Sequence, residues 1–367
     1  MSTAFSIPAG APDAIRALLR DFGDGRKAAL ARAVSIVENH RAGSDVLMAA
    51  FHPSIGRARR VGITGPPGAG KSTLTNLLAE NYLEAGYKVG IVAVDPTSPF
   101  TGGALLGDRV RMERVALHEN VFIRSMATRG SLGGLASTTR EVCDVLDAFG
   151  VDRILVETVG VGQSELDIAR LADTSVVVLV PESGDSIQTL KAGVMEIADL
   201  FVVNKSDRPG ADRLRNDIEL MLGLRTGATL RQVPAHHGVG HRGLVNPSRV
   251  AREAAARDDD HWTPPVLRTV GVTGDGVPDL VAALDRHFAY LERSGTLQQR
   301  RRARLRERVV DVVERRVRER LWRDEATRDW LEAQLPALER GETTPLMVAD
   351  TLLKRSVAAG TLSGQTP

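Results

Sequence analysis

The 367-residue chain predicts an α/β protein built on a mostly parallel sheet flanked by helices, with a helical segment before it and a helical arm after it. Three observations carry that expectation. Short β-branched runs alternate with longer amphipathic segments between about residues 59 and 292. The runs are apolar almost without interruption, which suits parallel strands covered on both faces. Outside that stretch, apolar residues recur at three- and four-residue steps and strand signals are missing. The organisation expected is therefore residues 1–56 as a helical segment, 57–292 as the α/β domain and 293–367 as a helical arm.

The elements follow in order. Ala14, Ile15, Leu18 and Leu19, then Leu30, Ala33, Val34 and Val37, give at least two helices, parted at Gly23–Gly25. Strands are expected at Val61–Thr64, Lys88–Val94, Arg153–Glu157, Ser175–Val180 and Leu200–Asn204, with a last one from Val266 to Val272 after the polar loop at 258–265. Residues 297–340 predict one long helix, because Leu305, Val309, Val312, Val313, Val317 and Leu321 form an apolar stripe. Between 299 and 323, eleven arginines face four acids, a local excess of seven. That excess reads as a solvated face whose arginine stems cover apolar surface. A stripe so long on a terminal arm needs a partner surface, which suggests dimerisation.

Composition narrows the classes. Hydrophobic residues at 43% and charged residues at 26% exclude a mostly disordered chain. Lys+Arg at 48 against Asp+Glu at 46 leaves +2, so net charge offers no case for nucleic acid. Cys143, the single cysteine, excludes an intramolecular disulfide and a Cys-ligated structural zinc site. No apolar run approaches the roughly 18 residues of a bilayer span, and the first residues lack the pattern of a secretory signal. A soluble protein of a reducing compartment, most simply the cytoplasm, is expected.

The chemistry concentrates in a few motifs. Gly65-Pro-Pro-Gly68-Ala69-Gly70-Lys71-Ser72-Thr73 fits G-x-x-x-x-G-K-[ST], after a strand and opening a helix, so the fold expected is that of a P-loop NTPase. Such a loop aims backbone N–H groups at phosphate oxygens, and the helix N-terminus adds positive potential. Pro66 and Pro67 have no N–H, so Gly68 through Thr73 supply the donors. Lys71 is expected on the β- and γ-phosphates and Ser72 on Mg²⁺. Asn204-Lys205-Ser206-Asp207 follows a strand, and N-K-x-D in that place selects guanine. The Asp207 carboxylate accepts both the ring N–H and the exocyclic amine, whereas adenine would turn a lone pair toward it.

Metal and water residues are sought at strand ends. Glu157, with Gly160 three residues on, stands where many GTPases carry D-x-x-G, a glutamate in place of the aspartate. Asp95 and Asp108 are the other acidic candidates. Asp185 and Lys191 follow the Ser175–Val180 strand and read either as an exposed loop pair or as groups that approach the nucleotide where charge develops on the γ-phosphoryl group. Gln163 and Arg111 are candidates to orient water or offset charge, and without an assured group of that kind intrinsic turnover should be slow. His236, His237 and His241 fit no zinc spacing and read as loop residues.

With these residues in place, the chain resembles the MeaB/ArgK-type GTPases, the methylmalonyl-CoA mutase-associated proteins. The segments 94–112 and 157–165 look like that family's first and second switch regions, and Gly184-Asp185 with Lys191 is similar to its third. Arg129-Gly130, Leu132–Ala136, Pro345 and Ala349-Asp350 also fit. The resemblance implies a GTPase that takes GTP/GDP and Mg²⁺ and chaperones an adenosylcobalamin-dependent acyl-CoA mutase, gating its cofactor loading. It also implies a homodimer joined through the C-terminal arm, with Asp95, Asp108 and Glu157 around metal and water, and no nucleic-acid or membrane partner. A P-loop kinase or transport-energising ATPase is the alternative, against which Asn204–Asp207 argues. One departure stands out: Gly271-Val272-Thr273 replaces the family's usual Ser-Ala-x behind the guanine. A backbone N–H at Val272 or Thr273 remains available to the guanine carbonyl.

Overall fold

The computed structural model describes residues 5–6, 10–96, 113–128, 134–158, 164–181, 195–225 and 261–358. Three helices, α1 (Asp13–Gly23), α2 (Lys27–Glu38) and α3 (Ser44–Phe51), precede the first strand. The sheet then forms from β1 (Arg59–Thr64), β2 (Val89–Pro96), β3 (Val121–Thr128), β4 (Arg153–Thr158), β5 (Thr174–Leu179), β6 (Leu200–Val203) and β7 (Val266–Arg268). Their order is β3-β2-β4-β1-β5-β6-β7, and every pairing is parallel. The connecting helices are α4 (Lys71–Glu84), α5 (Gly134–Ala148), α6 (Ser164–Leu171), α7 (Ala211–Arg225) and α8 (Val277–Arg293). Chain order reverses at β1, between β4 and β5. In an open α/β sheet, ligands bind outside the carboxyl ends of the strands at such a point.

Burial follows the apolar runs. β4, β5 and β6 are buried along their whole lengths. One face of the sheet packs under α1, α2, α3 and α5, where Phe22 stacks on Phe51 at 4.4 Å between centroids and meets Phe149 edge-on. The opposite face packs under α4 and α8. The buried Arg60 illustrates how charge is carried in the core by pairing. The Arg60 guanidinium reaches Asp144 at 2.7 Å and Asp147 at 3.2 Å. Burial works against its charge, but those carboxylates outweigh it and hold the group above its ordinary value.

The amino ends of β5 and β6 carry a second charged cluster. Arg300 donates to Asp199 at 2.9 and 3.0 Å, and Arg301 to Asp173 at 3.0 Å. Burial disfavours the Asp199 carboxylate, yet hydrogen bonds from His287 and Arg300 keep it below its usual range. These two arginines lie in the first turns of α9 (Thr296–Arg323). Compact units divide between Arg301 and Arg302.

The second unit comprises the remainder of α9, α10 (Glu325–Glu339) and α11 (Pro345–Ala358). The single helix expected over 297–340 is therefore two. Asp324 adopts an extended conformation and accepts a 2.6 Å bond from the Thr327 hydroxyl, starting a new helix there. Pro345 opens α11, a first position where its missing N–H costs nothing.

One strand lies outside the expected set, and one expected strand ends early. Strand β3 gave no clear sequence signal. It is an edge strand whose Arg124 pairs with Glu38 of α2, so polar residues interrupt its apolar run. The last strand ends at Arg268 rather than Val272, because Val270 turns back to bridge Asp275.

Candidate functional site

Four strand ends converge at the carboxyl edge of the sheet. β1 runs into Gly65–Gly70, and α4 begins at Lys71. Gly65, Gly68 and Gly70 have φ of 138°, 75° and 86°, values that side-chain-bearing residues rarely adopt. Space demands glycine as well: a Cβ on Gly65 would lie 2.0 Å from the Val178 carbonyl oxygen, and one on Gly70 2.4 Å from Asn204 Nδ2. Gly68 faces open space. Gly65→Ala should therefore cost about 3 kcal/mol of stability through strain against a backbone that cannot yield. Urea unfolding of the full chain measures that loss.

Lys71 is 6% exposed, and its ammonium donates to the carbonyls of Gly65 and Pro66, at 2.9 Å each. The cation is thus curled into the hollow of its own loop. Ser72, on the same turn, donates to Glu157 Oε1 at 2.5 Å. Glu157 is buried at the end of β4, in register with Ile63 of β1. One residue on, Thr158 donates to Thr64 at 3.0 Å and ties the two strand ends together. Asp95 is the penultimate residue of β2, two beyond Ala93, the partner of Glu157 in the sheet. Its side chain lies outside the described residues, as do Asp108, Arg111, Gly160, Gln163, Asp185, Lys191, His236, His237 and His241.

The N-K-x-D turn follows β6. Asn204 is buried, and its side chain has three partners. Its amide donates to the Ala69 carbonyl at 2.8 Å, while its oxygen accepts from the Thr269 hydroxyl at 3.0 Å and the Gly271 amide at 3.1 Å. One carboxamide therefore joins the phosphate loop, the N-K-x-D turn and the 271–273 loop. Lys205 takes a left-handed φ of 54°, and Asp207 is exposed beyond it. The Ser206 amide donates to the Thr269 carbonyl at 3.0 Å, which lays the Asp207 turn beside the loop after β7. In that loop the Thr273 amide is taken by Val270 O at 3.2 Å. Val272 is 96% exposed, at the tip. Thr73 meets the loop from the other side, 3.2 Å from where a Gly271 Cβ would stand.

The structure thus brings together Gly65, Gly68, Ala69, Gly70, Lys71, Ser72, Thr73, Glu157, Asn204, Lys205, Asp207, Gly271, Val272 and Thr273. Thr64, Thr158 and Thr269 hold these parts in place and were not singled out from sequence; a buried threonine at a strand end looks like any strand residue.

A family model described as Methylmalonyl Co-A mutase-associated GTPase MeaB matches residues 30–326. The chain belongs to the MeaB family of GTPases. It is accordingly an enzyme that hydrolyses GTP to GDP and phosphate, and it binds guanine nucleotides. A Pyrococcus horikoshii protein assigned as a GTPase is 43% identical over 340 residues, 93% of this chain and 98% of that one. GTPase ArgK of Escherichia coli is 44% identical over 193 residues, 52% of this chain and 58% of that one. A Mus musculus protein named methylmalonic aciduria type A homolog, mitochondrial, is 31% identical, covering 90% and 76%. Among solved structures, one described as LAO/AO transport system kinase matches with a TM-score of 0.61 and 27% identity, covering 95% of this chain and 99% of that one. The MeaB family thus supplies both the fold and the activity expected from the motifs. No helix among the described residues is long and apolar enough to cross a membrane.

Proposed function

We propose that this GTPase binds an adenosylcobalamin-dependent acyl-CoA mutase of the methylmalonyl-CoA mutase type and gates loading or exchange of its cofactor. Hydrolysis then acts as the timer, so the product that matters is a conformational state. The family description and the mouse relative's name support the partner. The observation that carries the nucleotide chemistry is the Asn204 bridge, which sets the phosphate loop and the guanine-selecting turn in one cleft.

In this reading Lys71 leaves the Gly65 and Pro66 carbonyls for the β- and γ-phosphate oxygens, exchanging two neutral acceptors for charged ones. The amides from Gly68 to Thr73 complete the cradle. Asp207 accepts from guanine, and the Val272 N–H meets its 6-oxygen, since the neighbouring Gly271 and Thr273 amides are already engaged. Ser72 and Glu157 are hard oxygen donors 2.5 Å apart, a pair that fits Mg²⁺, which takes one or two protein ligands beside phosphate and water. Bound there, the ion would offset charge on the β- and γ-oxygens. Asp95 and Asp108 are assigned to the same neighbourhood, and Asp185 and Lys191 to the response to the partner.

The arm supports a homodimer. Leu305, Val309, Val313 and Val317 stand on α9 at helical spacing and are between 39% and 64% exposed, a stripe that a second copy would cover. We also assign the protein to the cytoplasm. Size-exclusion chromatography with a purified methylmalonyl-CoA mutase tests the partner. Co-elution that depends on a non-hydrolysable GTP analogue is expected, and separate elution in every nucleotide state would overturn the proposal.

A further inference from the structure

The loop after β7 lacks the family's usual serine, yet it is closely held. Its floor is fixed by Thr269, whose N–H donates to Val203 O at 3.0 Å and whose hydroxyl donates to Asn204. Val270 closes the turn twice: its amide donates to Asp275 O at 3.0 Å, and its carbonyl accepts from the Gly274 amide at 2.8 Å. Gly276 must be glycine, because a Cβ there would lie 2.0 Å from Arg268 O. The tip is spanned by a side-chain pair. The Thr273 hydroxyl donates to Asp275 Oδ2 at 2.7 Å and accepts from the Asp275 amide at 3.4 Å. From Gly271 to Asp275 each amide but one has a partner, and the exception is Val272.

We infer that Thr273 and Asp275 are positioning residues for guanine recognition: their hydroxyl–carboxylate brace holds the tip so that the Val272 N–H faces the 6-oxygen of the base. The inference rests on the guanine reading above and extends it to residues that touch no ligand. A hydroxyl-to-carboxylate bond is stronger than a neutral one. It joins the first and third residues after Val272 across Gly274, so it restricts the dihedrals that aim the Val272 amide. Without it, the tip is held by its backbone turn and at most a long 3.4 Å contact from the Thr273 hydroxyl to Val270 O, and the Val272 N–H samples directions from which it cannot donate. The base then loses one hydrogen bond while its edge at Asp207 and its phosphates keep theirs.

Calorimetry on the full chain separates this from general loosening. GDP is compared with 6-thioguanosine diphosphate, which keeps the ring N–H and the exocyclic amine and replaces only the 6-oxygen, by sulfur, a weak hydrogen-bond acceptor. The unaltered chain should favour GDP. In Thr273→Val, GDP should weaken about three- to tenfold, the worth of one hydrogen bond, while the analogue binds as before. Thr273→Ser should restore GDP binding, and Asp275→Ala should repeat the Thr273→Val pattern independently. Equal weakening of both ligands, or of neither, overturns the brace. Failure of the unaltered chain to bind GDP overturns the guanine reading, and the brace with it.

Discussion

Asp207→Asn should lower GDP affinity about a hundredfold or more and raise affinity for xanthosine diphosphate. The carboxylate offers two acceptors to the ring N–H and exocyclic amine of guanine. An asparagine amide offers one acceptor and one donor, so its N–H would oppose the guanine amine and leave the pair unsatisfied. Xanthine carries a carbonyl in place of that amine and accepts from the new donor. Discrimination built on such hydrogen bonds spans several orders of magnitude when the groups are enclosed. Asp207 is exposed without ligand, so a figure at the lower end is expected. Titrations with GDP, xanthosine diphosphate and ADP give the result directly. Unchanged GDP binding by the variant would remove Asp207 from the base site.

Lys71→Ala should reduce the GTP turnover rate by about a thousandfold, the usual scale for deleting one preorganised charge at a reacting oxyanion. The ammonium is already inside the loop, held by two backbone carbonyls, so it reaches the phosphates without being drawn in from solvent. Lys71→Arg should not recover the rate. The planar fork is wider than an ammonium and keeps its donors in a fixed geometry, and the hollow between Gly65 and Pro66 is shaped for a point charge. Phosphate release under single-turnover conditions measures both variants, with circular dichroism to verify the fold. Near-normal rates in Lys71→Ala would show that another group carries the charge.

Much of this could be read from sequence because backbone needs and residue identity coincide there. A glycine at 65 or 70 announces a left-handed turn, and its crowding against Val178 or Asn204 explains why only glycine serves. The buried strands β4, β5 and β6 declared themselves by unbroken apolarity. What escaped was relational. Strand β3 is half polar because its Arg124 answers Glu38, a partner 86 residues away. The break at Asp324 depends on one aspartate leaving the helical region, while the apolar stripe continues on either side. Asn204 was assigned to the nucleotide from its motif, but its three bonds to Ala69, Thr269 and Gly271 depend on tertiary placement that no spacing encodes.

That carboxamide has one more implication. Because it yokes the two ends of the cleft before any ligand arrives, the span between them is a property of the protein, set in advance. The cleft behaves as a gauge. A molecule with a guanine at one end must also place its second and third phosphorus atoms at a given reach. On the proposed reading GMP should therefore bind far more weakly than GDP, which titration of both against the full chain would measure. Selection by length thus comes from the same small group that welds the turns together, independently of the groups that read the base.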